Sequence, residues 1–325
     1  MLRSLPAVLL LGVLIAFPAH AQQMGAEPLT ISLSPQYPRP YQTVTVTPQS
    51  TAFDLTGSSI TVTANGTVVH TGTGAERTNV TVGGPGSATT IVVRAVHDGQ
   101  TYTKQVVVRP ADVALIIEPA GTAHPFYRGG VALSSEGRLR IVAMPDIRTS
   151  AGTRLSPDNL VYTWRLGEQI LEAQSGIGKS TLTATAPVRY RDTTITLTVT
   201  SPDSAYVAQA RTVVSPSDPF VHIYRSDPLL GPLFDTALSG TIAMNGEEQT
   251  FRAVPYFFAS APALTWSVNG SASGGEKDIT LRSTGSGAGS ASLTASARQA
   301  ATFQVADTRL TIRFGSGGGL GIFGL

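Results

Sequence analysis

The 325-residue chain contains no cysteine, which excludes disulfides, thiolate zinc ligands and the lipobox that would attach a mature N-terminus to lipid. Each domain must therefore be held by apolar burial and backbone pairing alone, which is practical at about 100 residues and hard below about 40. Charge is also scarce, at 14% of residues, against about 25% in an ordinary soluble domain. Lysine occurs only at Lys104, Lys179 and Lys277, so 20 of the 23 basic residues are arginine, nearly balanced by 21 acids. A formal charge of +2 gives nucleic acid no strong handle. The five histidines include no pair at i, i+3 or i, i+4, and the acids never form an Asp-x-Asp-x-Asp-Gly loop. No cofactor and no metal centre is expected. Helical stripes are missing as well, and beyond the N-terminal segment no run is long enough to cross a bilayer.

What is present begins with residues 1–21, MLRSLPAVLLLGVLIAFPAHA: an arginine near the start, an apolar run from Leu5 to Phe17, and small residues around Ala19 and Ala21. This is the layout of a secretory signal. The run is shorter than the roughly 20 residues a membrane-crossing helix needs, so cleavage after Ala21 is expected in preference to an anchor. Removal of 21 residues leaves 304, or roughly three units of about 100.

Self-comparison supports three units. The segments Ile60 to Gly66 (ITVTANG), Tyr162 to Gly167 (YTWRLG) and Leu264 to Gly270 (LTWSVNG) share one pattern. Their central apolar residues are Val62, Trp164 and Trp266, each 102 positions after the last. After each anchor come a Gly-rich turn, a short strand, another turn and a Thr-rich alternating run: Thr89 to Ala95, Asp192 to Val199 and, more weakly, Ala291 to Ala295. Period-two alternation with one apolar face points to antiparallel sheets wet on one side. Further strands are expected at Leu29 to Leu33, Thr43 to Thr47, Val106 to Arg109, Val113 to Ile117, Arg138 to Ala143, Phe220 to Tyr224, Phe303 to Val305 and Leu310 to Phe314. Pro-containing joints at 109–112 and 215–219 separate the repeats, and their brevity argues for a semi-stiff rod. The expected division is 22–110, 111–216 and 217–314, followed by a Gly-rich tail, 315–325.

An early-strand tryptophan, frequent turns and repeats near 100 residues resemble immunoglobulin-like and PKD-like domains across nearly all of 29–314. The resemblance implies an all-β chain of three tandem antiparallel β-sandwiches, with Trp164 and Trp266 in the core between facing sheets. Val62 departs from that pattern, and no repeat has the paired cysteines of antibody domains. The stretches HPFYRGG, DPLLG and PYFF resemble segments of exported bacterial envelope proteins with tandem sandwiches, a likeness that implies no activity.

Catalytic motifs fail on inspection. Gly176-Ile177-Gly178-Lys179-Ser180-Thr181 ends like a phosphate-binding loop, but Ala173 stands where the first glycine belongs and an alternating strand pattern follows instead of a helix. It reads as a hairpin turn. Neither Gly-rich pentapeptide, at 270–274 or 285–289, centres on serine as a nucleophile elbow requires. Asn65-Gly66 and Asn269-Gly270 match the glycosylation triplet but read better as hairpin turns. Asp112, Glu118, Asp203 and Asp218 lie near the joints without clustering. Two aromatic groups, Phe126-Tyr127 and Tyr256-Phe257-Phe258, either offer an exposed binding surface or plug a sandwich end and seal a joint. The tail, with Leu320, Ile322, Phe323 and Leu325, is either a linker end or a strand that docks on another subunit's sheet edge. The expectation is a non-enzymatic exported scaffold or adhesion protein of the cell envelope, periplasmic, surface-bound or extracellular, engaging envelope proteins or surface glycans. A polysaccharide- or protein-binding module that uses the aromatic corners is the second reading.

Overall fold

The computed structural model describes residues 27–121, 123, 127–244, 246–284 and 287–315. The expected signal segment, Phe126 and the tail beyond Gly315 lie outside the described residues. Valine- and threonine-rich runs form strands because branched side chains pack well on a pleated, half-buried surface.

The first repeat has seven strands: β1 (Leu29–Ser34), β2 (Thr43–Ser50), β3 (Ser59–Ala64), β4 (Thr67–Thr73), β5 (Thr78–Thr81), β6 (Thr89–His97) and β7 (Gln100–Val108). They make two sheets, β1-β2-β5 and β4-β3-β6-β7. The second repeat comprises β8 (Asp112–Ala120), β9 (Arg138–Asp146), β10 (Val161–Leu166), β11 (Gln169–Ile170), β12 (Gly176–Ile177), β13 (Thr181–Thr185), β14 (Thr193–Thr200) and β15 (Val207–Val214). Its sheets are β13-β9-β8 and β11-β10-β14-β15, with β12 also on β10. The third comprises β16 (Phe220–Asp227), β17 (Gly231–Pro232), β18 (Gly240–Ala243), β19 (Glu248–Tyr256), β20 (Ala263–Val268), β21 (Ser271–Gly274), β22 (Asp278–Arg282), β23 (Gly289–Gln299) and β24 (Gln304–Phe314). Its sheets are β17-β16-β19-β22 and β18-β24-β23-β20-β21. One plan thus recurs, and each pair of sheets encloses its own apolar core.

Val62, Trp164 and Trp266 are buried at equivalent places on β3, β10 and β20. Each stands opposite an apolar residue of the neighbouring strand: Val93 on β6, Leu197 on β14 and Ala295 on β23. A buried indole N–H needs an acceptor, and both tryptophans find one of the same kind. Trp164 Nε1 donates to the Lys179 carbonyl and Trp266 Nε1 to the Glu276 carbonyl, each at 2.9 Å. The Lys179 segment therefore serves as a turn whose backbone accepts from the core, with β13 beginning at Thr181.

The hairpin ends recur with the same period. Asn65, Gly167 and Asn269 have φ values of 50°, 59° and 50°. Their amides donate to the carbonyls of Thr90, Thr194 and Ser292 at 2.8 Å. Asn65 and Asn269 are each followed by a glycine at φ 83°, the positive-φ pair that a tight hairpin requires. Their side-chain oxygens also accept from the Thr90 and Ser292 amides, at 2.8 and 2.9 Å, a bond that Gly167 lacks.

Two details differ from the sequence expectation. Phe303 precedes β24 in a turn, at φ 52° and 89% exposed, so its strand starts at Gln304. The third repeat also contains one parallel ladder, β18 on β24. The 12 residues between β16 and β18 give the chain length to cross from one sheet to the other, as a parallel pairing demands.

Trp266→Ala should destabilise the third sandwich by about 3–5 kcal/mol. Peptide-resolved hydrogen exchange should then show faster exchange in β20 and β23 and unchanged protection in β3 and β6; protection kept throughout would deny the indole its central place.

Candidate functional site

Most strands bury one face, but β16 and β19 bury two. Val221, Ile223, Phe251 and Ala253 fill the third sandwich's core. The alternate residues Tyr224, Val254 and Tyr256, with Phe257, form a separate buried cluster on the outside of the same sheet, flanked by Phe220, Phe234 and Ala237. A sandwich face left to water would hold polar residues instead.

The cover comes from the second repeat. Ala123 and Ala132, from the connection between β8 and β9, pack on this cluster. Tyr127 of the same connection lies 5.4 Å from the Tyr256 ring and 5.6 Å from Phe257, centroid to centroid. Phe220 stacks on Tyr256 at 4.8 Å with ring planes 17° apart. Inside the cluster the Tyr224 and Tyr256 hydroxyls share a hydrogen bond of 2.9 Å. Burial, with that bond second, pushes the Tyr256 phenol well above its usual range. Burial likewise lowers the His222 pKa, its imidazole lying between Phe220 and the two tyrosines.

Polar bonds close the same contact. Gln304, 1% exposed, donates through Nε2 to the Ser135 carbonyl at 2.8 Å and accepts at Oε1 from the Ala259 amide at 2.9 Å. The Ser217 amide donates to the Leu133 carbonyl at 2.7 Å. Arg189 pairs with Asp218 at 2.8 Å on the exposed rim.

Of the expected site residues, Tyr256 and Phe257 belong to this inter-repeat cluster, and Phe258 is buried in the third repeat's main core. Tyr127, the cluster's rim, is 38% exposed. Phe220, His222, Tyr224 and Phe234 are not among the expected site residues, and Phe234 has no local signal. For the first three a signal exists, because the runs Phe220 to Tyr224 and Phe251 to Phe258 are apolar on both parities, the mark of a strand buried on both faces.

The joint between the first and second repeats is built differently. Arg39 pairs with Asp112 at 3.1 Å, the Ala111 amide donates to the Pro38 carbonyl at 3.3 Å, and Arg109 stands 6.0 Å from the Tyr206 ring centre. Beside it a groove of about 680 Å³ opens between β1 and β7, with Ser204 and Ala205 of the second repeat at one end. The joint acids stay apart: Asp112, Asp218 and Glu118 each pair with an arginine, the last with Arg140 at 2.9 Å. Asp203 accepts from the Ser201 hydroxyl, which with the Ala205 amide lowers its pKa. Among the described residues no group of three or more metal-binding side chains converges, and no helix is long and apolar enough to cross a membrane.

No protein-family model and no curated protein matches the chain. Solved structures that resemble it are domain arrays. The three N-terminal domains of the bacteriophage RB49 highly immunogenic outer capsid protein are 14% identical, with 88% of this chain and 98% of that one covered and a TM-score of 0.25. Immunoglobulin domains 1–5 of Sidekick-1 are 11% identical over 86% of this chain and 56% of theirs, at a TM-score of 0.30. The central fibronectin-III array of RIM-binding protein is 12% identical over 87% and 95%, at 0.28. With TM-scores this low, these likenesses carry no weight for function. On its own sheet topology the chain is a tandem array of immunoglobulin-like β-sandwiches.

Tyr256→Phe leaves the buried Tyr224 hydroxyl unpaired and should cost about 1–3 kcal/mol, while adding Tyr224→Phe should restore most of it; denaturant melts of the single and double variants provide the comparison. His222 is held below its ordinary 6.5, so the folded chain resists a proton that the unfolded chain accepts. Stability is therefore complete above that value and declines as pH falls below it, and His222→Gln should flatten the decline in thermal melts.

Proposed function

We propose that the chain is an exported, non-enzymatic scaffold or adhesion protein of the cell envelope, in which the second and third sandwiches act as one stiff arm and the first articulates on it. The covered aromatic face of β16 and β19 carries this reading. Large buried side chains of the third repeat, covered by Ala123, Ala132 and Tyr127 of the second, resist relative motion, because moving one repeat would expose apolar rings and unpair Gln304. Among the described residues the first joint has an exposed ion pair, one backbone bond, a cation–π contact at its outer distance limit and Gly86 packed against the Thr149 carbonyl, with no buried aromatic cluster. The signal-like segment 1–21 and the complete lack of cysteine fit export of a chain that needs no oxidative folding. Envelope proteins or surface glycans remain the proposed partners, met by edges and loops; the Tyr256, Phe257 and Phe258 rings have no open face for sugar stacking. The proposed boundaries are the Pro-containing joints, where strands pause between Val108 and Asp112 and between Val214 and Phe220.

The absence of native cysteine makes paired spin labels clean. Labels at the exposed positions Val213 and Phe303 should give a narrow distance distribution, and labels at Val69 and Val213 a broader one. Equal widths would remove the stiff arm. A mature chain starting at Gln22 in the envelope fraction is expected by mass spectrometry; retention of the full chain in the cytoplasm would remove export.

A further inference from the structure

The groove between β1 and β7 borders two sheet edges. β1 pairs with β2 alone and β7 with β6 alone, so among the described residues the outer ladder of each lacks a strand partner. Unpaired edges of this kind are templates for an incoming strand. The chain supplies its own precedent. In the third repeat the strand equivalent to β7 is β24, and its outer edge is occupied by β18, running parallel from Gly240 opposite Leu310 to Ala243 opposite Arg313. That strand is four residues long, Gly-Thr-Ile-Ala, and it presents Ile242 to the core. The first repeat has no counterpart to β18 and has the groove instead.

The groove suits the same kind of insert. Ile31, Leu33 and Val106 are partly buried members of the first core that face it, and Val107, 36% exposed, forms its lip. Lysine on an edge strand is a common guard against pairing, but the guard here, Lys104, is drawn to Glu27 and leaves Gln105 to Val107 without a charged side chain beside them. Arg109 is the one charged residue of the lining, and no acid joins it.

We propose that this position is filled by residues 318–325 of a second copy, laid parallel to β7. Residues 316–325 carry no charged side chain, and Leu320 and Ile322 are separated by a glycine, so in an extended strand both would share one face with minimal bulk between them. This matches the small-and-apolar pattern of β18. Residues 315–319 (GSGGG) have the composition of a linker between the end of β24 and the apolar residues that follow. A tail that docks on the first repeat of the next copy makes a head-to-tail contact, which propagates into a filament or, where the rotation between copies closes, a ring. The inference stands apart from export and from the stiffness of the second joint.

The test compares residues 22–325 with a chain ending at Gly315 by sedimentation velocity across a concentration series. The longer chain should grow into oligomers with concentration, and the shorter should stay monomeric. A synthetic peptide of residues 316–325 should bind the shorter chain and should cap oligomers of the longer one. Val107→Arg should weaken peptide binding about tenfold or more, as expected when a charge must be covered by apolar partners, with the melting curve unchanged. Ile322→Asp in the full chain should abolish oligomers by the same logic, with the melting curve unchanged. A full chain monomeric at every concentration, oligomers that survive the truncation, or equal peptide binding by the Val107→Arg chain would each overturn the assignment.

Discussion

Everything in this molecule depends on closing two sheets over a core without a covalent cross-link. The strand pairs β3–β6, β10–β14 and β20–β23 bear that load. Their ladder places Val62, Trp164 or Trp266 against the neighbouring strand's apolar residue, in the middle of the sandwich. The tryptophans fill the space with one side chain and tie it to a carbonyl of the segment that follows. Val62 offers neither bulk nor a donor. The first repeat's aromatic mass comes instead from Phe53 and Tyr102, stacked 4.2 Å apart at the margin of its core. The same architecture thus tolerates two solutions to filling one volume, because a core needs density more than any particular residue.

The sequence was most transparent where structure is local. The period of 102 residues, the Asn-Gly turns and the alternating Thr-rich runs each follow from a few neighbouring side chains, and all are present as strands or hairpin ends. Tyr256 and Phe257 stood out as aromatic, yet their burial depends on a connection more than 100 residues earlier in the chain. No local pattern contains that information. The pairing of β18 was equally opaque, since four residues carry too little periodicity to declare a strand, and its parallel direction is fixed by where the preceding connection ends. Phe303 shows the opposite failure: an apolar residue beside a strand was read into it, whereas positive φ places it in the turn.

The two joints look alike as text and differ as objects. Both are short and contain proline. Exposed ion pairs such as Arg39–Asp112 contribute about 0–1 kcal/mol, whereas packed aromatic pairs add about 0.5–1.5 kcal/mol each beyond their burial, and two of them, Tyr127 with Tyr256 and with Phe257, cross the second joint. A linker's composition therefore says little about its stiffness. The surfaces that the flanking domains bring to it decide.

The double-faced sheet of β16 and β19 also constrains how such a chain can lengthen or shorten over generations. A gene segment encoding the third sandwich alone, copied elsewhere, would arrive with Tyr224, Val254 and Tyr256 bare to solvent and would invite aggregation. The smallest piece that can be shuffled intact is the pair, with the first sandwich free to be gained or lost by itself.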